Sequence, residues 1–243
     1  MGEWTGRVGV VTGGSRGIGY AIADAFAAAG MNVVIGARSP DDLDRAACEL
    51  EARHRGVRIL GVQCDVRSQS DCERLVARAA DDLGGVDVLV NNAGIGRFAP
   101  VAEMSPEDWR AVIETNLNSL FYCTHAALPH LFRRGTSWVI NIGSLAGKNA
   151  FPNGAAYNAS KFGLIGFSEA LMQEVRHQGV RVTYIMPGSV ATDFSHPGGH
   201  DRSEDSWKVQ AEDIAQIVMD LLAVPERTLP SRVEVRPSRP KKG

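Results

Sequence analysis

The chain has 243 residues, 44% hydrophobic and 22% charged, with 26 Lys and Arg against 28 Asp and Glu for a formal net charge of −2. That size and balance suit one well-filled domain and exclude a disordered, collagen-like or disulfide-dense chain. Near-neutral charge provides no field for nucleic acid, and no apolar run approaches the roughly 20 residues a membrane helix needs.

From the start, MGEWTGRVGVVTGG has no secretory signal pattern, and Gly6 stands where a myristoylation signal needs Ser or Thr. Short Val- and Ile-rich runs then alternate with segments of helical period. The predicted strands are Val8–Thr12, Asn32–Gly36, Arg58–Cys64, Val86–Asn91, Trp138–Ile142, Arg181–Met186 and Arg232–Arg236. They are nearly continuous in apolar character, as strands covered on both faces are. Ser39-Pro40-Asp41-Asp42 reads as a cap, a first-turn proline and first-turn acids. Ser68 caps a helix through Leu83, and Ser105-Pro106-Glu107-Asp108 opens a long one reaching about Leu131. Gly30, Gly84-Gly85 and Gly179 stop helices before the next strand. The alternation predicts an α/β fold: a doubly wound, seven-stranded parallel sheet with helices on both faces. One domain is expected over residues 1–236, with a long polar loop at 193–206 closing over substrate and an unpacked basic tail at 237–243. Cys48, Cys64, Cys72 and Cys123 form no C-x-x-C pair, which suits core filling in a reducing cytoplasm.

Thr12-Gly13-Gly14-Ser15-Arg16-Gly17-Ile18-Gly19 joins the first strand to the first helix. In that context glycines let the backbone curl around a pyrophosphate and aim amides and a helix N-terminus at its charge. A dinucleotide with a free ribose 2′-hydroxyl prefers an acid at the end of the second strand, whereas a 2′-phosphate wants arginine. Val33-Val34-Ile35-Gly36-Ala37-Arg38 has no acid there, and Arg16 can approach from the other side. Two guanidiniums can bracket a phosphate, so NADP(H) is expected over NAD(H).

Taken together, these residues and those that follow make the sequence resemble the short-chain dehydrogenase/reductase family over essentially the whole chain. Thr12–Gly19 resembles its T-G-x-x-x-G-x-G turn, Asn91-Asn92-Ala93-Gly94 its N-N-A-G motif, and Tyr157-Asn158-Ala159-Ser160-Lys161 its Y-x-x-x-K. Asp65-Val66 resembles its adenine-contacting stretch; Pro187-Gly188, Val190 and Thr192 resemble the stretch beside the nicotinamide. The resemblance implies that Gly13, Ser15, Arg16, Gly17, Ile18, Gly19, Arg38, Asp65, Val66, Asn92, Ala93, Gly94, Tyr157, Lys161, Pro187, Gly188, Val190 and Thr192 hold the cofactor. It further implies a catalytic set of Asn116, Ser144, Tyr157 and Lys161, in which Lys161 also holds the ribose hydroxyls. Asn116 would bend its helix around a water that feeds protons towards Lys161. A homotetramer, or failing that a dimer, is implied as well.

Read from the residues themselves, Tyr157 and Lys161 share one face of a helix, a turn apart. A tyrosine with pKa about 10 is a poor proton relay; a nearby ammonium would favour the phenolate, two pH units requiring about 2.7 kcal/mol. Tyr157 would then protonate a carbonyl oxygen in reduction, with Ser144 steadying the developing charge. The substrate expected is a small carbonyl compound or secondary alcohol, with a 3-oxoacyl thioester suggested by analogy. Val101–Glu103 and Phe151–Ala155 are candidates for the substrate wall. No metal site is expected: His196 and His200 are four apart, but Pro197-Gly198-Gly199 between them opposes a helix. Three rivals stand beside this reading: a nucleotide sensor on the same fold without turnover, a methyltransferase on a related fold, and a non-redox epimerase or dehydratase.

Overall fold

A computed structural model describes residues 4–192, 194 and 205–240. All seven strands belong to one parallel sheet: β1 (Val8–Thr12), β2 (Asn32–Ala37), β3 (Ile59–Gln63), β4 (Val88–Asn91), β5 (Ser137–Ile142), β6 (Val180–Pro187) and β7 (Arg232–Val235). Their order is β3-β2-β1-β4-β5-β6-β7, so the winding reverses between β1 and β4. Every residue of β1, β4 and β5 is buried, which is why these segments read as unbroken apolar runs. The observed strands match the predicted ones to within two residues at each end.

The helices are α1 (Gly17–Ala28), α2 (Pro40–Arg53), α3 (Gln69–Leu83), α4 (Pro106–Ile113), α5 (Ser119–Leu131), α6 (Ala155–Val175) and α7 (Ala211–Leu222). The caps act as the sequence predicts. Ser39, Ser68 and Ser105 accept hydrogen bonds from the amides of Asp42, Asp71 and Asp108. Gly84 closes α3 in the left-handed region at φ 90°. One apolar cluster packs α1, α2 and α7 on one face of the sheet, including Phe26, Leu50 and Val218; a second packs α3 and α5 on the other, including Leu75 and Ala127. Cys64, Cys72 and Cys123 are buried there as expected, whereas Cys48 is exposed.

The long helix predicted from Pro106 to Leu131 is not uniform. Between α4 and α5 the chain makes a wider π-turn over Glu114–Asn118. Such a turn inserts a residue and often marks a functional position. Of the expected tail, Pro237 and Pro240 border the central cleft, residues 238–240 are exposed, and residues 241–243 lie outside the described residues. Of the polar loop at 193–206, only Phe194, Asp205 and Ser206 are described; its expected closure, and His196 and His200, lie outside the described residues. Among the described residues no group of three His, Cys, Asp or Glu side chains could hold a metal, and no helix is long and apolar enough to cross a membrane.

Candidate active site

At the carboxyl ends of the strands, where the winding reverses, opens a cleft of about 1310 Å³. The glycine turn after β1 forms its floor. Gly13 and Gly17 have φ of 64° and 57°, conformations that suit glycine. A Cβ on Gly19 would stand 2.2 Å from the Gly13 carbonyl oxygen and 2.5 Å from Asn92 Nδ2. Asn92 holds the turn in place, donating from Nδ2 to the carbonyls of Thr12 (2.9 Å) and Gly13 (3.2 Å). Thr12 Oγ1 in return accepts from the amides of Asn92 (2.9 Å) and Ala93 (3.0 Å). The T-G and N-N-A-G motifs are thus two halves of one clasp across β1 and β4. No side chain caps the N-terminus of α1, leaving its first amides available to an anion. This cradle, closed to any side chain at Gly19, fits a pyrophosphate.

Around it, Ser15, Arg16, Gly17, Ile18, Arg38, Asp65 and Val66 line the cleft on the β1–β3 side, and Ala93 and Gly94 line it after β4. Pro187, Gly188, Val190 and Thr192 line it on the β6 side, and Thr192 lies against Gly17 across the opening. Gly19 and Asn116 sit behind the wall rather than in it.

Arg16 and Arg38 are both exposed at the nucleotide end, and among the described residues neither closes an ion pair. The sequence reading missed their neighbours, however. Asp42, from the first turn of α2, lines the same cleft, and Arg16 helps hold its carboxyl below the usual range behind the hydrogen bond from Arg45. Asp65 is gripped by Arg67, whose Nη2 is 2.5 Å from Oδ2, and Arg38 adds to the lowering of its pKa. The carboxylates already have partners in Arg45 and Arg67.

At the inner end, Ser144 follows β5 and caps a short turn by accepting from the amide of Ala146 (3.1 Å). Tyr157, on the first turns of α6, lines the same cleft as Ser144. Lys161 is one turn further on, 5% exposed, and donates from Nζ to the carbonyl of Ile142 (2.9 Å). Its ammonium is 5.8 Å from the centroid of the Tyr157 ring. Asn116, at the π-turn, is 1% exposed: Oδ1 accepts from Ile95 N (2.8 Å), while Nδ2 donates to Ile95 O (2.9 Å) and Ser160 Oγ (3.1 Å). The wider turn therefore ties the loop after β4 to α6.

The protonation expected from sequence is overturned. Burial pushes the Tyr157 phenol up, and the neighbouring Ser144 hydroxyl only partly offsets it. Burial also brings Lys161 down, from 10.5 to about 8. Helical spacing places the pair together, but desolvation is the largest influence on each group. Tyr157 is thus a protonated phenol at neutral pH.

Three aromatic residues frame this end. Phe98 lies 5.6 Å from the Tyr157 ring and 5.8 Å from Phe151, and Phe194 lies 5.9 Å from Tyr157. Phe151 was anticipated. Of the other residues considered for the substrate wall, Val101 is 77% exposed and outside the cleft.

A clasped glycine cradle at the switch point of a doubly wound sheet defines the class, a dinucleotide-binding α/β protein. Comparison narrows it: the family described as short chain dehydrogenase matches residues 7–203, and the chain belongs to that family of oxidoreductases. It is 40% identical over 192 residues to 3-oxoacyl-(acyl-carrier-protein) reductase of Synechocystis sp., covering 79% of this chain and 77% of that one. It is 41% identical over 188 residues to acetoacetyl-CoA reductase of Shinella zoogloeoides, covering 77% and 76%. An alcohol dehydrogenase from the archaeon Thermococcus sibiricus, solved with 5-hydroxy-NADP, superposes with a TM-score of 0.88 at 31% identity, covering 97% of this chain and 99% of that one.

Proposed function

We propose that the chain is an NADP(H)-preferring reductase of ketones, with Ser144, Tyr157 and Lys161 as its catalytic residues and Asn116 as the residue that positions them. The observation that carries this is the convergence of Ser144, Tyr157 and Lys161 on the cleft beside the glycine cradle, with Lys161 Nζ 5.8 Å from the centre of the Tyr157 ring. Arg16 and Arg38 would hold the 2′-phosphate and the amides of α1 the pyrophosphate. Asp65, Val66, Asn92, Ala93, Gly94, Pro187, Gly188, Val190 and Thr192 would complete the wall around the coenzyme, which supplies a hydride when bound.

Ser144 Oγ and the Tyr157 hydroxyl converge where a substrate oxygen would sit, so both can hydrogen-bond to it. Tyr157 gives its proton to that oxygen as negative charge develops, and Lys161 Nζ holds the replacement proton. At neutral pH the phenol is in its acid form, as donation of a proton to a substrate oxygen requires. Likeness to 3-oxoacyl and acetoacetyl-CoA reductases supports a 3-oxo thioester among the ketones it reduces. Exposed Trp109, Phe121 and Phe162 on α4, α5 and α6 support packing into a homotetramer, or a dimer, through those helices.

The test is NADPH oxidation with acetoacetyl-CoA and simple ketones, repeated with Tyr157→Phe. Turnover should fall at least about a hundredfold in the variant while NADPH still binds. Coenzyme binding without reduction of any ketone would refute the reading, as would near-normal turnover by the phenylalanine variant.

A further inference from the structure

Phe98, Phe151 and Phe194 are large apolar side chains exposed by 48%, 42% and 40%, and all three border the cleft at Tyr157. Exposed phenylalanines scattered singly need no explanation, but three lining one cleft, two of them against Tyr157 and the third against Phe98, do. They come from separate segments: the loop after β4, the segment before α6, and the segment after β6. Their rings stand tilted or edge-on to one another and to Tyr157, at interplanar angles of 49°, 69° and 54°. Tilted rings 5–6 Å apart are mutually attractive and hold each other in place.

Two glycines seat these rings. A Cβ on Gly96 would lie 2.7 Å from Phe98 Cζ and 3.2 Å from Phe194 Cε1. A Cβ on Gly154 would lie 2.5 Å from Phe151 Cε2. Neither glycine has a positive φ, so the backbone would accept alanine at both. A side chain at Gly96 would displace the rings resting on it, and one at Gly154 would press on both the Phe151 ring and Asn158 Oδ1.

Resting on the reading of Tyr157 as the proton donor, we infer that Phe98, Phe151 and Phe194 form a specificity clamp for ketones that carry a flat apolar group, such as an aryl ring, next to the carbonyl. A flat group can enter between tilted rings and meet faces and edges at once, whereas a short alkyl group leaves much of that surface wet. The carbonyl oxygen of such a ketone is then directed to Tyr157 and Ser144, the polar groups at the foot of the clamp. The substrate class named is thus narrower than that of the thioester reductases the chain resembles.

The experiment compares kcat/KM for acetophenone, 2-butanone and acetoacetyl-CoA with NADPH, in the wild type and in Phe98→Ala, Phe151→Ala and Gly96→Ala. Because Phe98 touches Tyr157, the readout is the ratio of aryl to alkyl ketone, in which a general loss of activity cancels. The wild type should prefer acetophenone to 2-butanone, and each substitution should lower that ratio, by about tenfold for Phe98→Ala. A wild-type preference for 2-butanone or acetoacetyl-CoA, or a ratio unmoved by all three substitutions, would overturn the clamp. If no ketone is reduced, the proposed function fails separately. The clamp is then judged by calorimetric binding of acetophenone, which should weaken in Phe98→Ala and overturns the inference if it does not.

Discussion

Lys161 is nearly enclosed, and its charge is costly in the coenzyme-free protein. The fall from 10.5 to about 8 corresponds to about 3 kcal/mol of disfavour for the ammonium in the folded chain. Below about pH 8 both folded and unfolded chains carry the proton, so the full cost is present. Between about pH 8 and 10.5 the folded chain has released it while the unfolded chain keeps it, and stability rises with pH. Above about pH 10.5 both are neutral and the penalty is gone. Lys161→Met preserves length without charge, but it forfeits the hydrogen bond to Ile142, worth about 1 kcal/mol. The variant should therefore be more stable than wild type by about 2 kcal/mol near pH 7, and less stable by about 1 kcal/mol near pH 10.5. Urea unfolding of both proteins without coenzyme across that range measures the difference, in which the other titrating groups largely cancel. A difference that stays flat with pH would refute the argument that burial governs this lysine.

Arg38→Asp should weaken NADPH binding by more than about tenfold in a fluorescence titration while affecting NADH far less; equal losses would remove the case for a 2′-phosphate contact. Gly19→Ala forces a methyl group into the Gly13 carbonyl, so it should lower stability by about 2 kcal/mol and weaken coenzyme binding. Gly166→Ala, on α6 with no atom within 4 Å of the new methyl, should instead stabilise by up to about 1 kcal/mol, and unfolding curves of the pair check the contrast. Sedimentation should show a tetramer or dimer, and a monomer at all concentrations would exclude packing through α4, α5 and α6.

The strands and caps were legible because each depends on local chemistry: continuous apolar runs for a sheet covered on both faces, and Ser-Pro-acid sequences at helix starts. The clasp was legible as two motifs but not as one object, because the bonds from Asn92 to Thr12 and Gly13 span about eighty positions and exist only once β1 and β4 pair. The π-turn at Asn116 left no trace in the apolar pattern, since Val112, Asn116 and Leu120 keep a spacing of four straight through it. Asp42 beside Arg16 escaped for a related reason: the sequence reading looked for an acid at the end of β2, while the fold brings one from the next helix. Phe98 and Phe194 lie almost a hundred residues apart, and no periodicity links them.

What the sequence misjudged about Tyr157 and Lys161 bears directly on chemistry. Spacing alone predicts a cation acidifying a phenol, with two groups whose ordinary pKa values of 10.0 and 10.5 nearly match. Burial separates them instead, raising the phenol and bringing the ammonium to about 8, so that Lys161 becomes the stronger acid. In the proposed mechanism, once Tyr157 has surrendered its proton to a substrate oxygen, movement of a proton from Nζ towards the phenolate runs downhill. The reverse transfer, from a neutral phenol to a neutral amine, runs uphill. In the proposed mechanism, burial thus orders two similar groups into a donor and the reservoir that refills it.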